Sequence, residues 1–332
     1  TGQKKINQYT RYLTVLIATM QAYGIAVGIE GMQGSLGSAV VSPGAFFRFT
    51  AVVTLVGGTM FLMWLGEQIT ARGVGNGISL IIFAGIVAEL PSALAGTLEL
   101  GRTGALSSGI ITTILIMAVF VIYAIVFVER AQRRLVVQYP KRQQGNKMYG
   151  GESSHLPLKI NTSGVIPLIF ASSLLLMPTT VISFMANTGP EWLTTVSSLL
   201  GRGQPSYLII YSALIAFFAF FYTAVVFNPE ETADNLKKNG GFIPGIRPGK
   251  NTAEYLEYVT TRLTVVGASY LVAVALLPEI LISQWSVPFF FGGTSLLIVV
   301  TVTMDTVAQV QSHMLAHQYE GLIKKSRLKG RR

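Results

Sequence analysis

Residues 103–128 read TGALSSGIITTILIMAVFVIYAIVFV, twenty-six residues without a charge between Arg102 and Glu129. A helix rises about 1.5 Å per residue, so ~20 apolar residues cross a bilayer core about 30 Å thick. Inside hydrocarbon each backbone N–H and C=O needs a partner from the chain itself, and a single long run meets that demand as a helix. This stretch predicts a membrane span, and the chain on either side repeats the pattern.

Charged residues make up 12% of the sequence and apolar residues 51%, with a mean hydropathy of +0.53. A soluble domain carries about twice that charge fraction. Further uncharged gaps separate Arg11 from Glu30, Arg48 from Glu67, Arg72 from Glu89 and Lys159 from Glu191. Three more run from Arg202 to Glu230, Arg262 to Glu279 and Glu279 to Asp305. Each holds an apolar run near spanning length. Residues 31–47, GMQGSLGSAVVSPGAFF, are broken by four glycines, three serines and a proline and read as a loop, with VVSPGAFFRF extended. The fold class is therefore all-α and polytopic, with eight transmembrane helices. They are expected near 12–29, 49–67, a third ending at Leu90-Pro91, 108–128, 163–186, 206–228, 260–278 and 289–309.

Lysine and arginine orient such a bundle. Alternate loops hold 22 of the 25 basic residues, leaving Arg48, Arg102 and Arg202 on the opposite side. Both ends of the chain are expected in the cytoplasm, as an even helix count requires. The divisions are a cytoplasmic segment 1–11, four helices over 12–128, a basic loop 129–160, two helices over 161–228, a basic loop 229–259, two helices over 260–310 and a tail 311–332. Trp192 and Trp285 fall at the outer boundary and Trp64 near the inner one.

The two long loops have structure of their own. RRLVVQY alternates in strand fashion and HLPLKI is its expected partner, giving a basic β-hairpin with KRQQGNK at the tip. In NGGFIPGIRPGKN (239–251), Arg247 stands between two stiff corners, Pro244-Gly245 and Pro248-Gly249. A short turn, TARGVGNGIS, has Gly73, Gly75 and Gly77 expected at positive φ.

Covalent chemistry is missing. There is no cysteine, and His155, His313 and His317 all fall in loop or tail segments. No paired carboxylates lie at mid-membrane depth, where a protease, proton relay or metal-driven pump needs ionisable groups. The chain is expected to be no enzyme and to need neither cofactor nor metal. Pro167, Pro178 and Gly292-Gly293 interrupt helices, which suits a conduit or a secondary transporter's site. Apolar midplanes beside long basic loops favour the conduit.

Longer strings carry a resemblance. QYTRY (8–12), MFLMWLGEQIT (60–70), GVGNGIS (73–79), FVERAQRR (127–134), YPKRQQG (139–145) and HLPLKIN (155–161) resemble SecY, the channel subunit of the bacterial protein translocase. GVIPLIFASS (164–173), VFNPEETADNLKKNGGFIPGIRPG (226–249) and FFFGGTSLLIVV (289–300) continue the match in order. The family has ten helices. This chain resembles helices three to ten, so the first two helices and the plug are expected elsewhere, on another chain or outside the sequence.

The resemblance implies a channel that conducts unfolded preproteins across the bacterial inner membrane and releases membrane segments sideways into the bilayer. It implies an apolar pore ring including Ile82, Ile169, Leu174 and Ile298, and a polar lateral-gate residue at Asn161. It implies docking of the ribosome or the SecA ATPase through Arg134, Lys141, Arg142 and Arg247. Implied partners also include SecE-like and SecG-like membrane subunits, the preprotein with its signal sequence, and the lipid bilayer.

Overall fold

A computed structural model describes residues 2–31, 33–34, 37–38, 40–104, 107–140, 142–144, 147–149, 153–185, 191–201, 204–285 and 293–329. In order these form α1 (Gly2–Gly31), β1 (Gln33–Gly34), β2 (Gly37–Ser38), α2 (Ala45–Arg72), α3 (Gly77–Arg102) and α4 (Ser108–Arg130). The strands β3 (Gln132–Gln138), β4 (Arg142–Gln144), β5 (Lys147–Tyr149) and β6 (Ser153–Lys159) follow. The chain continues with α5 (Ile166–Met185), α6 (Glu191–Leu199), α7 (Pro205–Val226), α8 (Pro229–Lys238), α9 (Lys250–Trp285) and α10 (Gly293–Lys329). Among the described residues, seven helices are long and apolar enough to cross a membrane, and a shorter apolar helix covers Ile166–Thr180. These are the eight apolar runs of the sequence.

The chain divides into two compact units. One comprises Thr1–Pro91, Ser173–Tyr207 and Val302–Arg332, the other Ser92–Ser172 and Leu208–Thr301. In the first, α1 and α2 form an antiparallel pair tied at both ends. The Arg11 guanidinium donates through Nε and Nη2 to the two carboxylate oxygens of Glu67, at 3.2 and 2.7 Å. At the other end Arg48 Nε donates to Glu30 Oε2. The two pairs lie nineteen residues apart on both helices, which is ~28 Å of helix and close to the thickness of a hydrocarbon core. The Arg11–Glu67 pair is exposed and stabilises little, whereas the Arg48–Glu30 pair is half-buried; together they set the register of the two helices.

The α2–α3 turn is tight for reasons that differ among its glycines. Gly75 has φ +88, the left-handed region that favours glycine. Gly73 is extended instead, at φ −108. Gly77 is needed for space: a Cβ there would fall on the Gly66 carbonyl oxygen, while one on Gly66 would sit 2.9 Å from Ile78 Cγ1. Thr70 Oγ1 stitches this contact, donating to the Gly66 carbonyl and accepting from the Gly77 N–H, both at 2.8 Å. The expectation of positive φ at all three glycines thus holds only for Gly75. Asn76 caps α3, its Oδ1 accepting from the Ile78 N–H at 3.1 Å. Thr306 and Gln309 of α10 come within 4 Å of where a Gly75 side chain would stand.

Several helices overrun their expected ends. Phe46, Phe47, Arg48 and Phe49 are helical rather than extended. The third span does not stop at Leu90-Pro91, because α3 continues through Pro91 to Arg102. Proline removes one backbone bond, and the SALAGTLEL that follows is rich in good helix formers. The segment expected between the fifth and sixth spans contains α6. The last span and the basic tail form one helix, α10, whereas residues 289–292 of that expected span lie outside the described residues. The 36-residue α9 begins ten residues before its expected start. Its extra turns are held by packing, because Ala253, Leu256 and Val259 are buried.

Candidate functional site

The basic hairpin forms as expected. β3 pairs antiparallel with β6, with Arg134 opposite Pro157 and Leu135 opposite Leu156. Beyond it β4 pairs with β5, placing Arg142 opposite Tyr149 in the backbone ladder. Lys141 lies outside the described residues. Alternation sorts the faces of β3: Leu135 and Val137 are buried, while Arg134, Val136 and Gln138 are exposed.

The buried face packs on the second basic loop and on the helices that flank it, α8 and α9. Leu135, Val137 and Leu158 form one cluster with Ala233 of α8 and Ile243 of the second basic loop. Ala253, Leu256 and Val259 of α9 complete it, with Leu256 fully enclosed. The backbone joins the two loops as well. The Gln138 N–H donates to the Phe242 carbonyl at 2.9 Å, and the Phe242 N–H donates back at 3.0 Å. Gly241 permits the approach, since a Cβ there would sit 2.9 Å from Tyr139 Cε1. Two loops about a hundred residues apart in sequence thus form one module.

Within that module the arginine tip is built by turns. The Ile246 N–H donates to the Ile243 carbonyl at 3.1 Å, with Pro244 second and Gly245 at φ +83 third. That is the chemistry of a type II turn. Ile246 packs against the cluster and leaves Arg247 exposed. Thr252 Oγ1 donates to the Arg247 carbonyl at 3.0 Å, and the Thr252 and Ala253 N–H groups donate to the Gly249 carbonyl, starting α9. The tip is pinned on both sides of the guanidinium. Arg134 and Arg247 therefore project from one module, which the separate loop readings did not anticipate. The available signal was the apolar Phe242, Ile243 and Ile246 inside an otherwise polar Gly/Pro loop.

Asn161, by contrast, is buried, at 4% exposure. Its Nδ2 donates to Glu129 Oε1 at 2.7 Å and to the Gly164 carbonyl at 3.1 Å. Its Oδ1 accepts from Ser163 Oγ at 3.0 Å. The amide thus joins the end of α4 to the entry of α5, where Gly164 turns at φ +63. Gly267 of α9 faces the same backbone, and a Cβ there would lie 2.9 Å from the Ile160 carbonyl oxygen.

The ring residues sit on three helices. Ile82 on α3 and Ile169 on α5 are half-buried, Leu174 on α5 is half-exposed, and Ile298 on α10 is buried. Ile82 and Leu174 fall in the first unit, Ile169 and Ile298 in the second. Trp64 and Trp192 are exposed; the Trp285 side chain lies outside the described residues. Among the described residues no group of three His, Cys, Asp or Glu is placed to hold a metal.

This arrangement of apolar helices matches solved protein-conducting channels. A SecY structure concerned with how the plug domain stabilises the closed channel superposes with a TM-score of 0.71 at 18% identity, covering 95% of this chain and 75% of that one. A structure described as a protein-conducting channel gives 0.68, again at 18% identity, covering 92% of this chain and 72% of that one. Sec61 from the canine ribosome–channel complex of the endoplasmic reticulum gives 0.61 at 17% identity, with the same coverages of 92% and 72%. At these identities the likeness defines the class, a polytopic helical channel fold. Sequence goes further. The SecY family model matches residues 1–307. The protein translocase subunit SecY of Escherichia coli K12 is 57% identical over 331 residues, 99% of this chain and 74% of that protein. The same subunit from Rickettsia typhi is 56% identical over 329 residues, 99% of this chain and 76% of its own length. The chain belongs to the SecY family.

Proposed function

We propose that the chain works as the channel subunit of a bacterial protein translocase and performs no covalent chemistry of its own. The observation that carries this reading is identity of 56–57% across 99% of the chain to subunits bearing that name. The physics supports it. A translocating polypeptide is chemically heterogeneous, so a pore that bound any one side-chain type would stall. Branched apolar residues seal by dewetting and offer no strong site. Ile82, Ile169, Leu174 and Ile298 are the residues of this chain for that constriction. Asn161, at the entry of α5, is the polar residue at the lateral gate, where an apolar segment leaves for the bilayer.

In this reading the basic module faces the cytoplasm of a cell inner membrane, on the side that holds 22 of the 25 basic residues. Arg134, Lys141, Arg142 and Arg247 dock the machine that supplies substrate, either a ribosome through its phosphates or a SecA motor through carboxylates. SecE-like and SecG-like subunits complete the assembly. Site-specific photo-crosslinking tests the pore. A preprotein stalled in the reconstituted translocase is expected to crosslink to probes at positions 82, 169 and 298, and not to one at Phe120, an exposed α4 residue. Crosslinks at Phe120 with none at the three ring positions would overturn the proposal.

A further inference from the structure

Glu129 stands in the last turn of α4, beside Arg130. The free carbonyls at a helix C-terminus carry partial negative charge, which suits Arg130 and disfavours a carboxylate. Glu129 is nevertheless half-buried there, and its Oε1 accepts from Asn161 Nδ2 at 2.7 Å across 32 residues of sequence. The bond lies at the base of the basic hairpin, where the Ile160 N–H donates to the Ala131 carbonyl at 3.2 Å. A carboxylate only accepts, so it takes the NH2 end of the amide. That turns Oδ1 towards Ser163 Oγ, which donates to it at 3.0 Å. Asn161 and Ser163 are both buried, so the amide cannot turn round without stranding a polar group. Glu129 thereby fixes the orientation of Asn161.

A second donor approaches the same carboxylate from α9. Gly267 lets that helix come close, since a Cβ there would lie 2.9 Å from the Ile160 carbonyl oxygen and 3.7 Å from Asn161 Oδ1. Tyr270 follows three residues on, on the same side of the helix. Its hydroxyl is closed to solvent and has no hydrogen-bond partner among the described residues. Glu129 is the charged group that acts on it. A buried hydroxyl without a partner is costly, and natural structures keep few of them.

An idle donor beside a carboxylate that another donor already holds is the arrangement of an exchange. We propose that Glu129 is a positioning residue with two alternative donors: the Asn161 amide while the entry of α5 is in place, and the Tyr270 hydroxyl once that entry moves aside for a departing apolar segment. This rests on the reading of Asn161 as the lateral-gate residue. The exchange replaces one hydrogen bond to a charged group by another, so moving α5 leaves the carboxylate satisfied. Two such arrangements of near-equal energy make a bistable element, which a signal sequence can bias by binding one of them better. Deleting the Tyr270 hydroxyl removes the second arrangement and leaves the first intact.

Translocation by the complete reconstituted translocase, of one preprotein with a normal and one with a weakened signal sequence, tests this. Tyr270→Phe is expected to slow the normal preprotein about tenfold, the scale of one hydrogen bond to a charged group. Its melting temperature is expected not to fall, because the hydroxyl makes no bond while Asn161 is in place. Glu129→Ala releases Asn161 and is expected to speed the weak-signal preprotein several-fold. In that background Tyr270→Phe is expected to have no further effect. Glu129→Gln, whose carbonyl still accepts from Asn161, is expected to restore rejection of the weak signal. A photo-crosslinking probe at Thr162, beside Asn161, is expected to capture the signal sequence in the otherwise wild-type channel. No crosslink there removes the gate reading, and the exchange falls with it. A crosslink together with normal translocation by Tyr270→Phe keeps the gate reading and overturns the exchange alone. So does a Tyr270→Phe defect that persists undiminished in the Glu129→Ala background.

Discussion

At the scale of single residues, two polar groups with similar sequence signals have opposite environments. Asn161 is enclosed and makes three side-chain hydrogen bonds, so its first role is structural. Asn161→Leu strands the Gly164 carbonyl and the Ser163 hydroxyl, and is expected to destabilise the chain by about 1–3 kcal/mol; a thermal melt in detergent measures it. A shifted signal-sequence requirement at unchanged melting temperature would instead point to a gate role separate from packing. Arg247 is exposed on a pinned turn. The two corners hold it in a presented conformation, which would lower the ordering cost of the docking proposed for it. Arg247→Glu is expected to weaken motor- or ribosome-dependent translocation while leaving the melting temperature unchanged. Normal translocation by that variant would remove Arg247 from the docking surface.

At the scale of elements, each spanning helix was legible as a run of apolar residues, but its ends were not. Sequence hydropathy reports where lipid begins, and a helix continues wherever packing or propensity holds it. The start of α9 shows this, since residues 250–259 are helical because Ala253, Leu256 and Val259 enter the hairpin cluster. Leu256→Ala is expected to cost about 2–5 kcal/mol and to speed amide exchange in β3, notably at Val137, although Leu256 is far from it in sequence. Unchanged exchange at Val137 would show that the hairpin and α9 are independent. The α2–α3 turn makes the complementary point. Gly77→Ala places a methyl on the Gly66 carbonyl and is expected to destabilise by about 1–3 kcal/mol through close packing. At Gly73, which is extended, the same turn gives a different reason for glycine, with the Ile69 carbonyl oxygen 2.7 Å from a built Cβ.

At the scale of the whole molecule, the charge asymmetry predicts how the chain meets its partners. Docking through exposed lysine and arginine is screened by salt. Binding of the assembled channel to ribosomes is expected to fall steadily as salt rises from about 0.05 to 0.2 M, with a shallower slope after Arg247→Glu. A salt-independent affinity would mean that apolar contacts carry the docking. The sequence by itself determined the number of apolar runs, the helical class and the existence of the basic hairpin, because the bilayer and strand alternation impose periods that can be read one residue at a time. It also determined family membership, through strings that cover nearly the whole chain. Only the tertiary structure decided that the two basic loops are one module and that Asn161 is buried. Those outcomes depend on contacts between residues distant in sequence. Packing and hydrogen bonding select such contacts in three dimensions, and no local period records them.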